Sequence, residues 1–226
     1  MASGKPDKSL CLRLINDGIY SNNTRGAKGR KERDSECDDL LVKYFYDCDF
    51  STTKSLAVSL VFSDTITTMV QAIESYRYGQ FDASMVMMRN AIDASTYISI
   101  VYDLNYDTTL KRILSASPRG SVTEYKKFKK WDDRKNEIVN RGFLCSDELD
   151  KLHEIREGGN FSAHYFEIRR DKFHEYIEGI AKLNKPKPDL PKQYTNESDV
   201  KDALNTALKI LMELHENYLK YYEVPI

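Results

Sequence analysis

Arg156, Asn160 and His164 fall within one short stretch, IREGGNFSAHY, residues 155 to 165. A guanidinium stays protonated and offers planar N–H donors that match phosphate oxygens. An imidazole, with an intrinsic pKa of about 6.5, takes and gives protons near neutrality. An asparagine amide can orient that ring or cap the following segment. Gly158-Gly159, the chain's only Gly-Gly pair, is expected to end a helix and swing His164 back toward Arg156. These are parts for metal-free RNA cleavage. The imidazole would act as base on a 2′-hydroxyl or as acid to the leaving oxygen, and the guanidinium would stabilise the charged phosphorane. On spacing alone the simpler arrangement comes first: a C-capped helix whose histidine packs in a loop.

Other chemistries lack their residues. There is no P-loop, no dinucleotide glycine fingerprint and no GxSxG. HEYIE, 174 to 178, begins like a zincin motif but has Glu178 where the second histidine belongs. Asp150-Lys-Leu-His153 is the nearest approach to a Glu-x-x-His unit and occurs once, so a di-iron site is excluded. No cofactor and no metal are expected. Arg89 and Asp93 stand one helical turn apart, and their place between Met88 and Ile92 suggests a buried, supporting ion pair.

The net charge of -1 and pI near 6.5 exclude a general polycation, so any RNA contact must be local. Two basic segments qualify. Residues 21 to 35, SNNTRGAKGRKERDS, hold Arg25, Lys28, Arg30, Lys31 and Arg33 and no aliphatic larger than alanine. Residues 1–35 are therefore expected to form a mobile basic arm, either a solvated tail or an RNA contact. In YKKFKKW, Tyr125, Phe128 and Trp131 recur every third residue while Lys126, Lys127 and Lys130 project elsewhere. Aromatic-basic interleaving can mark nucleic-acid binding. The simpler reading is an amphipathic helix over 122 to 140 with a wet lysine face.

The elements that must position these groups are helices. The segment from 53 to about 78 is apolar nearly all round, with Leu56, Leu60, Ile66, Val70 and Ile73 on one side and Val58, Val61 and Phe62 on the other. DDLLVKYFY (38 to 46) reads as a short lead-in helix. Asp82 is the expected N-cap of a returning helix through Leu104, and Ser146 that of a helix ending at Gly158-Gly159. RRDKFHEYIEGIAKL (169 to 183) is a further helix. Val200, Leu204, Ala207, Leu211, Leu214, Tyr218 and Tyr221 form a seam in the last one, stopped by Pro225. No strand is expected. The fold class is all-α, an antiparallel helical bundle over 36–226. Four cysteines without CxxC fit a reduced, cytoplasmic setting. No signal peptide is seen and LAVSLVF is too short to span a bilayer, so no membrane partner is expected.

The order of features resembles the HEPN superfamily of small α-helical proteins found in toxin–antitoxin, abortive-infection and CRISPR-linked systems. YRYGQFDASMVMMRNAIDA is similar to its helix pair, in which a turn with glycine precedes an arginine and, four residues on, an acid. IREGGNFSAH is similar to the R…GN…AH signature of one uncharacterised branch, and the seamed C-terminal helix falls where the family's closing helix does. The likeness covers roughly residues 53 to 222. It implies a metal-independent endoribonuclease cutting single-stranded RNA in defence or toxin–antitoxin biology. The implied site spans a two-fold homodimer, with Arg156, Asn160 and His164 catalytic and Arg89 and Asp93 supporting; a cognate antitoxin is an implied partner. Gly159 stands where the family's arginine directly precedes the polar residue, and Arg156 lies three positions earlier. That departure leaves a second expectation, a catalytically silent member that binds a protein partner or a nucleotide.

Overall fold

Helices predicted from apolar periodicity make up most of the molecule, a computed structural model that describes residues 33–41, 53–119, 126–163 and 197–225. In chain order they are α1 (33–41), α2 (Thr53–Arg77), α3 (Phe81–Val101), the strands β1 (Tyr102–Asp107) and β2 (Arg112–Pro118), α4 (Trp131–Asn140), α5 (Ser146–Ala163) and α6 (Glu197–Tyr221). The expected helix over 169 to 183 lies outside the described residues. No helix among the described residues is long and apolar enough to cross a membrane.

The core is built around α3, which packs against α2, α5 and α6. Met85, Met88, Ala91, Ile92 and Ile100 are buried along it. Its small hydroxyls are buried with partners: Ser84 Oγ donates to the Ala72 carbonyl at 2.8 Å and Thr96 Oγ1 to that of Ile92 at 2.7 Å. The predicted α6 seam from Val200 to Tyr218 is buried, whereas Tyr221 is exposed.

In α2 the buried face is Val58, Val61, Phe62, Met69, Ile73 and Tyr76, and the Leu60 of the predicted stripe is exposed. The reason is a non-helical turn at Phe62 (φ -113°, ψ 20°), which breaks the helical phase through which that stripe was counted. Three element ends share one geometry. After α2, α4 and α6 the chain enters the left-handed region at Gly79, Gly142 and Glu223, and the next residue's N–H closes on the carbonyl five residues back.

A strand pair replaces the expected all-α connection. The predicted continuation of α3 to Leu104 stops at Val101, and β1 pairs with β2 in antiparallel register from Tyr102↔Pro118 to Asp107↔Arg112, with an irregularity at Asn105/Tyr106. Asp107 Oδ1 accepts the N–H groups of Thr109 and Leu110, each at 2.8 Å, and so makes the turn. Tyr218 donates its hydroxyl to the Tyr102 carbonyl at 3.1 Å, and Tyr222, just past α6, donates to Asp103 Oδ1 at 2.5 Å, so both tie the hairpin to the C-terminal end of α6.

Two predicted caps shift by a residue or more. Asp82 lies inside the first turn of α3, behind Gln80. Ser146 is the first residue of α5, where Glu148 Oε2 accepts the Cys145 N–H at 2.8 Å from the third helical position. The predicted helix over 122 to 140 is interrupted: Lys126 and Lys127 are helical, the chain turns over 128–130, and α4 begins at Trp131; Phe128 is half-buried in that turn and Tyr125 lies outside the described residues.

Candidate functional site

The predicted break at Gly158-Gly159 does not occur: both glycines are buried inside α5, which runs on to Ala163. Gly159 serves contact between helices. A Cβ on Gly159 would lie 2.5 Å from Arg89 Cβ and 2.5 Å from the Met85 carbonyl oxygen, so only glycine lets α5 press this closely on α3. Asn160 then follows Arg156 by one turn on the same helical face, with no chain reversal between them. Ser162 Oγ donates to Asp82 Oδ1 at 3.0 Å nearby.

This contact sets Arg156 against Asp93. Arg156 Nε donates to Asp93 Oδ1 at 2.8 Å, and Arg134 Nη2 from α4 donates to the same oxygen at 2.6 Å. Arg134 Nη1 also reaches the Asp93 carbonyl at 3.1 Å. Arg89 Nε lies 3.8 Å from Asp93 Oδ2, within ion-pair range but beyond a hydrogen bond. Asp93 is thus the anchor of three cations drawn from three helices. The predicted Arg89–Asp93 pair exists, but it is partly open to solvent and is the weakest of the contacts to Asp93.

Trp131 supports the cluster from α4. Its ring stacks on His153 (centroids 5.1 Å apart, 17° between planes), and the guanidinium carbons of Arg134 and Arg156 each lie 5.4 Å from its centroid. On the solvent side, Arg156 Nη1 donates to Glu157 Oε1 at 2.6 Å and Asn160 Nδ2 donates to that oxygen at 2.9 Å. Among the described residues, three guanidiniums therefore meet two carboxylates, Asp93 and Glu157, leaving one positive charge in excess. Arg89 Nε, Arg134 Nε and Trp131 Nε1 have no hydrogen-bond partner among the described residues. Cationic groups outnumber carboxylates in the cluster, a balance that favours an anion over a cation beside it.

No family model, curated protein or solved structure matches the chain.

Of the predicted site residues, Arg156, Asn160, Arg89 and Asp93 are thus brought to one cluster, and His164 lies outside the described residues. So do Arg25, Lys28, Arg30 and Lys31. Arg33, counted with that basic arm, is instead buried in α1, where its Nε donates to the Arg77 carbonyl at 3.2 Å and its Nη1 to Glu197 at 3.3 Å. Lys126, Lys127 and Lys130 are exposed ahead of α4 and take no part in the Asp93 cluster.

Sequence reasoning missed Arg134, Trp131 and Glu157 as members. A signal for Arg134 was present: Trp131, Arg134 and Ile138 are spaced as one helical stripe, and a charge inside an apolar stripe needs a buried partner. A second polar centre was also missed. His215 of α6 is buried, stacks on Phe62 at 3.9 Å, and sets Nε2 2.7 Å from Ser95 Oγ. Burial pushes its pKa down to about 3, so it sits neutral in the core. This Ser–His pair is closed to substrate and locks α3 to α6.

Proposed function

We propose that this chain is a HEPN-like protein that acts on single-stranded RNA as a metal-independent endoribonuclease. The observation that carries the reading is the convergence of Arg89, Arg134 and Arg156 on Asp93, with Asn160 one turn beyond Arg156. Guanidiniums held in place by a carboxylate cost little reorganisation when charge develops on a phosphorane. In this reading Arg156 neutralises the phosphoryl oxygens, Asn160 positions the scissile group, and the His164 imidazole moves the proton. A two-fold homodimer would supply the second set of these groups, as the resemblance implies.

The test is incubation of labelled single-stranded RNA with the full chain in chelator. Wild type cleaves, and Arg156→Ala and His164→Ala each lose most of that activity, at least a hundredfold for a general acid–base. Cleavage undiminished in His164→Ala sinks the mechanism.

One observation favours the silent alternative, a HEPN-like bundle that binds a nucleotide or a protein partner without cutting. Both Nε and Nη1 of Arg156 are already engaged by carboxylates. That reading expects ligand binding with no cleavage and no growth defect on overexpression.

A further inference from the structure

Glu157 is the most exposed charged side chain of the cluster. It is 41% accessible, against 26% for Asp93, 27% for Arg89, 17% for Arg156 and 6% for Arg134. Its position is specific all the same. Arg156 Nη1 and Asn160 Nδ2, from residues one turn apart, converge on a single atom, Glu157 Oε1, at 2.6 and 2.9 Å. An ionised carboxylate only accepts, so the amide must present its NH2 there. One anionic oxygen held by a guanidinium and an amide N–H is the arrangement that holds a non-bridging phosphate oxygen.

We propose that Arg156 Nη1 and Asn160 Nδ2 form an oxyanion subsite for a phosphate group, and that the Glu157 carboxylate fills it until a phosphate-bearing ligand displaces it. This rests on the phosphate-handling reading above, and it names the contact atoms and the group that competes for them.

The two carboxylates of the cluster differ in their freedom to leave. Asp93 is bonded through one oxygen to both Arg134 and Arg156, and its backbone carbonyl is held by Arg134 as well. Glu157 faces water, so its release restores solvation instead of stranding a buried charge. Its departure raises the excess from one positive charge to two while Asp93 keeps the Arg156 guanidinium aimed. Two positive charges and two preset donors suit a phosphate dianion or adjacent diesters better than a single carboxylate. Self-occupancy lowers apparent affinity by the fraction of molecules in which the seat is filled.

Two probes test this on the full chain at fixed low ionic strength: inorganic phosphate, and a short single-stranded RNA with 2′-O-methyl riboses that cannot be cleaved. Calorimetric titration of Glu157→Gln should show roughly three- to tenfold tighter binding than wild type, since the neutral amide competes poorly for the guanidinium. Glu157→Ser should behave alike, and thermal melts verify that each variant is folded. Asn160→Asp, which turns the donor into an acceptor, should bind more weakly than wild type. Tightening with both probes assigns the seat to backbone phosphates; tightening with inorganic phosphate alone assigns it to the terminal phosphate of a free nucleotide. Equal or weaker binding by both folded Glu157 variants overturns the proposal, as does wild-type affinity in Asn160→Asp. The two failures are separable. RNA cleavage by wild type with no Glu157 effect removes this subsite and leaves the ribonuclease reading. A Glu157 effect with no cleavage does the reverse.

Discussion

The polar centre at Asp93 and the one at His215 both join a side chain of α3 to groups from other helices. They differ in their access to water. His215 and Ser95 are sealed in the core, where desolvation leaves the imidazole neutral and each member partnered chiefly by the other. Asp93 is partly exposed and draws three guanidiniums, two by hydrogen bonds to one oxygen and the third at ion-pair distance. Polar contacts between helices thus close into a sealed fastener in one place and stay partly open to solvent in the other. Partial exposure and a surplus of cations over carboxylates, more than the mere presence of a histidine or an arginine, separate the two.

The largest effect should come from breaking one side of this comparison alone. Gly159→Ala drives a methyl group onto the Met85 carbonyl and Arg89 Cβ, and one of those atoms is backbone that cannot swing aside. A loss of about 3 kcal/mol in urea unfolding is expected, at the upper end of overpacking costs. RNA or phosphate binding should fall with it, because Arg156 is carried away from Asp93. Unchanged stability would mean that the helices are not in contact there.

The sealed centre is probed by pH. The His215 ring binds a proton near 6.5 when unfolded and near about 3 when folded, so between those values the unfolded state holds more protons. Stability from this group is therefore full above about 6.5 and declines by about 1.4 kcal/mol per pH unit as acid is added. His215→Gln should remove that part of the slope when urea midpoints at pH 7 and pH 5 are compared with wild type. A slope identical to wild type would place the ring in water.

The smallest effect on stability sharpens the contrast from the open side. Arg89→Ala deletes a partly exposed cation that makes no hydrogen bond to Asp93, so it should cost only about 0.3–0.5 kcal/mol. The same change removes one of three guanidiniums. The salt dependence of single-stranded RNA binding should fall by about 0.7 in its log–log slope if Arg89 meets a phosphate.

Legibility in the sequence followed period and length. The α6 seam and the long apolar α2 and α3 were readable because burial repeats at the helical period over many turns. The hairpin was missed although Tyr102, Leu104 and Tyr106 alternate with Asp103, Asn105 and Asp107. The run is short and directly continues a helix rich in β-branched residues. Gly158-Gly159 was misread for a physical reason: a glycine pair serves a helix stop and a close helix crossing equally well. Only the partner's position, here Met85 and Arg89, tells which one applies. Arg156 and Asn160 were singled out because their types suit phosphate chemistry, and the structure sets them one turn apart beside Asp93. Arg134 was not, since its pairing with Asp93 spans distant positions that no local pattern connects.

Trp131 is the chain's single tryptophan, and it sits against His153 and two of the clustered guanidiniums. The molecule therefore carries its own optical reporter beside the Asp93 cluster. Any ligand that rearranges those cations alters the electric field on the indole, and the emission of the unlabelled protein records that event without interference from another fluorophore of its kind.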